Sequence, residues 1–69
     1  MPERLLEACE RAHRDGRDFP TIWRTILRPN RLVIGLPSHE IVDGEAHIVI
    51  SLGTGHKILS HRRGFSLRR

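Results

Sequence analysis

A chain of 69 residues has room for one small domain, which hides only about 60% of the surface its unfolded form exposes, so its core is thin. The single cysteine, Cys9, excludes an internal disulfide and a cysteine-rich zinc knuckle, leaving a sparse, well-made core or a partner to supply stability. The formal charge of +4 is unevenly placed: from Lys57 onward there are five cations and no acid, while seven arginines against all eight acids leave the first 56 residues at −1. Eleven of the twelve cations are arginine, whose planar fork suits phosphate and carboxylate.

The first stretch, "MPERLLEACERAH", lacks the apolar centre of a signal peptide. No aliphatic run anywhere exceeds three residues, far short of the ~20 that span a bilayer. A cytoplasmic protein with no membrane partner is therefore expected, and the lone thiol fits a reducing compartment.

Pro2 to Arg14 reads as an amphipathic helix, with Leu5, Leu6, Cys9 and Ala12 at the spacing that lines up one face. Proline is tolerated in a first turn, and Glu7 with Arg11 and Glu10 with Arg14 stand at the spacing of ion pairs on the wet face. Gly16 ends this helix, and Asp18 is placed to cap the next, with Pro20 early enough to leave the ladder intact. Phe19, Ile22, Trp23, Ile26 and Leu27 form the most regular apolar stripe in the chain. Arg24, Thr25 and Arg28 take the other side, and Pro29-Asn30 stops the helix.

From Arg31 the apolar period changes to two. "RLVIGLP" is a candidate strand with Leu32, Ile34 and Leu36 on one side, closed by Pro37. "HEIV" and "EAHIVISL" flank Asp43-Gly44, a hairpin signal that sets Val42 opposite Glu45, Ile41 opposite Ala46 and Glu40 opposite His47. Ile41, Ala46, Ile48, Ile50 and Leu52 then share the core face. "HKILSH" follows Gly53-Thr54-Gly55, and "GFSL" adds a short last strand.

The expectation is one α+β domain over residues 1–69. Its two short N-terminal helices pack on one face of a four- or five-stranded antiparallel meander. The core is assigned to Leu5, Leu6, Cys9, Phe19, Ile22, Trp23, Ile26, Leu27, Leu32, Ile34, Ile48 and Ile50.

Signals for chemistry are few. Gly53-Thr54-Gly55 with Lys57 resembles a phosphate loop only in composition: the spacing to the lysine is wrong and no helix follows, so the segment reads as a turn. Five histidines raise the question of a metal, but none of the linear ligand patterns is present, and no metal or cofactor is expected. A three-residue loop pairing Leu52 with His56 would set His47 opposite His61, in a row with Glu40 on the face turned from the core. Those three read best as polar groups on a solvated face. Cys9 lies on an apolar helix face, where thiols are poor nucleophiles, and no serine sits in a strand-to-helix elbow. No catalytic residue or small-molecule substrate is evident.

Two binding readings follow. Val33, Val42, Val49 and Leu59 fall on the outer side of the sheet and mark a surface for another protein or a second copy of the chain. The alternative is nucleic acid, held by Lys57, Arg62, Arg63, Arg68 and Arg69, with Phe65 as a stacking platform. A non-enzymatic module acting through protein contact or self-association is the first reading.

Overall fold

The computed structural model describes all of residues 1–69. Helix α1 spans Pro2–Arg14, and α2, Phe19–Ile22, runs on into a π-helical turn, Trp23–Leu27. Strands β1 (Val33–Val42), β2 (Glu45–Leu52), β3 (Lys57–His61) and β4 (Gly64–Arg68) follow, paired antiparallel in the order β1-β2-β3-β4. No helix is long and apolar enough to cross a membrane.

The helices begin and end for local reasons. Past α1, Gly16 takes φ 84°, a region glycine enters without strain, and its N–H donates to the His13 carbonyl while that of Arg17 donates to Ala12. This Schellman arrangement satisfies carbonyls the helix would leave open. Asp18 then caps α2 by accepting from the Thr21 N–H at 3.0 Å, and hydrogen bonding from Thr21, its side chain first and its N–H second, holds the Asp18 carboxyl below the usual 3.8. Because the shift is downward, the cap is at full strength at neutral pH and fades as pH falls through the carboxylate range.

The π turn makes one wide loop, in which the Arg28 N–H reaches the Trp23 carbonyl five residues back at 2.8 Å. That widening brings Ile22 and Leu27, also five apart, to the core together, at 1% and 0% exposure. Phe19, Trp23 and Ile26 lie half-buried at its margin. The surface pairs expected along α1 do not close, since the ion pairs of the structure are Arg63–Glu45 at 3.3 Å and Arg68–Asp43 at 3.7 Å.

Both hairpin registers follow the turn chemistry. Asp43 and Gly44 have φ 52° and 80°, the two positive values of a type I′ turn, and Val42, Ile41 and Glu40 face Glu45, Ala46 and His47. At the second turn the Leu52 N–H bonds the His56 carbonyl at 2.9 Å, and Ile50 faces Ile58. Alternation then puts Ile50, Leu52, Ile58 and Phe65 on the helix side, where they join Leu5, Cys9, Ala12, Ile22 and Leu27 in one buried cluster.

The two predicted strands "RLVIGLP" and "HEIV" are one strand, so the sheet has four. Pro37 does not end β1, because β1 is an edge strand and a missing N–H matters least there. Instead the pairing slips between Ile34 and Ser38, a bulge in which Gly35 takes φ 68°. Ile34 pairs with Ser51 on the face away from the helices, and Ile34 and Leu36 stand at 57% and 82% exposure, so Ile34 leaves the expected core. Val33, paired with Leu52, packs against the core in its place.

The face away from the helices is not open either. Val49 and Leu59 face one another across β2 and β3 and are both 3% exposed. A bulged, twisted sheet folds its diagonal corners together, so the end of β1 meets the end of β4 through Asp43 and Arg68. Glu40, Val42, Lys57 and Arg68 then ring the groove above the buried pair.

Ile58→Ala and Leu59→Ala are each expected to cost about 2–5 kcal/mol in urea unfolding, one from each side of the sheet. A loss within about 0.5 kcal/mol for Leu59 would mean that the concave side is wet.

Candidate functional site

The turn at Gly53-Thr54-Gly55 spends its backbone donors internally. The Gly53 N–H donates to the Leu32 carbonyl at 2.7 Å and the Gly55 N–H to Leu52 at 3.0 Å. A phosphate cradle needs such groups free and converging, so this loop holds no phosphate and instead ties the α2–β1 link to the sheet.

The histidine row forms as the register requires. Glu40 pairs with His47, and the rings of His47 and His61 meet edge to face with centroids 5.2 Å apart. His47, 8% exposed, has Nδ1 3.0 Å from the Glu45 carbonyl; a carbonyl only accepts, so Nδ1 carries the proton and Nε2 offers a lone pair. His61 is the converse: its Nδ1 accepts the Arg63 N–H at 3.2 Å, which puts the proton of the neutral ring on Nε2. A metal between the rings would need lone pairs on both Nε2 atoms and so would cost the Arg63 bond. No three His, Cys, Asp or Glu side chains converge as a ligand set.

The basic residues expected to act together do not. β3 separates Lys57 from Arg62-Arg63 by about 17 Å at the rise of a strand. Arg63 donates to Glu45, and Glu10 and Asp18 line the neighbouring shallow grooves, so acids interleave the arginines at that end. Phe65 is 6% exposed and packs edge to face on His13, with ring centroids 6.3 Å apart. It is a core residue and offers no face to a base. Arg68 turns to Asp43, leaving Lys57 and Arg69 at the far end.

That far end gains residues the linear reading had left out. Arg31 lies one residue from the carbonyl that Gly53 binds, and Arg28 stands at the end of the π turn just before it. Both are exposed. Arg69 lines a shallow groove with Thr54, Gly55 and His56. All eight acids lie in residues 3–18 and 40–45, so the segments supplying Arg28, Arg31, Lys57 and Arg69 contain none. The pairing of Val33 with Leu52, continued by the hydrogen bond from Gly53 to the Leu32 carbonyl, brings the α2–β1 link beside the β2–β3 turn.

The apolar surface also differs in its members. Val33 belongs to the helix side, Val49 and Leu59 are buried, and Val42 is half-buried at the rim. What β1 exposes instead is Ile34, Leu36 and Ile41, the last at 72%. Ile41 does share the helix-side face with Ile48 and Ile50, as the register implies, yet it lies exposed where it was expected to join the core. The outer edge of β1 has no strand beside it. The two-residue turn makes Val42 and Glu45 the hydrogen-bonded pair, so by alternation the backbone groups of His39 and Ile41 point outward. Glu40 is the only residue in the strand with a formal charge at neutral pH when histidine is neutral.

Cys9 is fully buried, and desolvation, with the nearby Glu10 charge adding to it, pushes its thiol up to about 12. Compared with protein-family models, curated proteins and solved structures, the chain matches none.

The native protein at pH 8 is expected to resist a thiol-alkylating reagent and to react fully in denaturant, read by mass spectrometry. Modification of the native protein at the denatured rate would show that Cys9 is accessible.

Proposed function

We propose that this protein is a small, non-enzymatic, cytoplasmic binding module that self-associates along β1. One observation carries the reading: an edge strand of ten residues bears one formal charge and exposes Ile34, Leu36 and Ile41. Exposed edges are ordinarily blunted by lysines, by covering loops or by being very short. Pro37 and the bulge blunt the first half of this one, which leaves Ser38–Val42 as a short segment free to pair.

A second copy is the occupant favoured by symmetry. Antiparallel addition of β1 to β1 about a two-fold axis lets one patch complement itself, and it sets the Ile34–Leu36 end of each strand toward the Ile41 end of the other. The product is an eight-stranded sheet with all helices on one face. A strand from a different protein would use the same donors and acceptors. The buried state of the one thiol argues against thiol chemistry.

Light scattering across micromolar to millimolar concentrations is expected to show a monomer–dimer equilibrium. His39→Pro, which removes an outward N–H, and Ile41→Lys, which puts a charge on the exposed edge, are each expected to weaken it about tenfold or more, equivalent to ~1.4 kcal/mol. A monomer at every concentration, or a dimer indifferent to both changes, defeats the reading.

A further inference from the structure

The geometry points to a second binding surface, at the end of the molecule built by the α2–β1 link, the β2–β3 turn and Arg69: a site for the phosphate backbone of a nucleic-acid duplex. Its residues are Arg28, Arg31, Lys57 and Arg69. The 2.7 Å hydrogen bond from Gly53 to the Leu32 carbonyl joins the first two to the turn that precedes Lys57, and Arg69 lies against that turn beside His56. Neither ion pair of the structure involves any of the four, and the acid nearest the set is Glu40, which lines the groove beside Lys57 and Arg69.

Charge complementarity selects a polyanion, and three arginines in the four favour phosphate, whose oxygens match the guanidinium fork. The aromatic residues select between forms of nucleic acid. The chain has one Trp, two Phe and no Tyr, and Trp23, Phe19 and Phe65 are all drawn into the helix–sheet core. Single-strand binding depends on stacking of bases on exposed rings, and this surface has none to give. A duplex presents its phosphates outward with bases already stacked, so cations alone suffice, and the binding carries no sequence preference. The Arg62-Arg63 end, where Glu45, Glu10 and Asp18 intervene, as against Glu40 beside Lys57 and Arg69, is a poorer match despite its paired arginines.

The test is fluorescence anisotropy of the full chain with a short labelled DNA duplex of arbitrary sequence, over a series of salt concentrations. Four phosphate contacts give a slope of about −3.6 in log affinity against log salt, hence a loss of roughly 10²-fold between 50 and 200 mM. Arg28→Ala with Arg31→Ala is expected to halve that slope to about −1.8 and to weaken low-salt binding at least tenfold. Arg28→Lys with Arg31→Lys keeps most of the affinity, and Arg62→Ala with Arg63→Ala, the same change in net charge, costs about threefold or less. All four positions are exposed, and circular dichroism verifies that each variant is folded. The inference is overturned by the absence of a complex at low salt, by equal losses in the two alanine pairs, by tighter binding of a single strand than of the duplex, or by binding to anionic vesicles in place of duplex.

Discussion

β2 is paired on both sides, and each of its neighbours is joined to it by a turn with little freedom. Asp43-Gly44 adopts the positive φ values that suit the twist of a hairpin, and the Gly53–Gly55 turn closes with a backbone bond between Leu52 and His56. Since side chains alternate along a strand, these two turns decide which half of β2 meets the helices. A slip of one residue at either would exchange Ile48, Ile50 and Leu52 for His47, Val49 and Ser51. The rest of the structure depends on that register, because the helices have apolar surface to cover on one side only.

The register also explains why so small a domain buries apolar residues on both faces of its sheet. Helices α1 and α2 cover one face. The other is covered by the sheet itself, whose bulged first strand reaches over Val49 and Leu59 toward the end of β4. A chain of this length has too little material for a third layer, and coiling the sheet replaces one. Ile34, Leu36 and Ile41 stay exposed along the same strand, so β1 keeps an apolar edge.

The two proposed surfaces draw on separate consequences of this arrangement. The β1 edge is available because the meander ends there and nothing lies beyond it. The proposed basic surface draws on a link and a turn whose charged residues are all cations, while the acids lie in the first helical region and around the Asp43-Gly44 hairpin, where Asp43 pairs with Arg68. Self-association and polyanion binding therefore need not compete, and a dimer would carry two copies of the basic end.

The sequence by itself determined what acts locally. Apolar spacing located both helices, Gly16 and Asp18 marked the boundary between them, and Asp43-Gly44 set a hairpin register that predicts the Glu40–His47 pairing. The non-loop reading of Gly53-Thr54-Gly55 was legible too, since a phosphate cradle needs a following helix. What only the tertiary structure decided was exposure and company. Alternation told that Val49 and Leu59 lie away from the helices but not that the sheet curls over them, and the apolar run claimed Ile34 for the core although the register sets Val33 opposite Leu52 and Ile34 opposite Ser51. A run of cations from Lys57 to Arg69 looked like one surface, whereas a strand divides it. Turns and periods act over a few residues and can be read in order; twist, bulge and cross-chain bonding arise between residues far apart, where the sequence alone has no ruler.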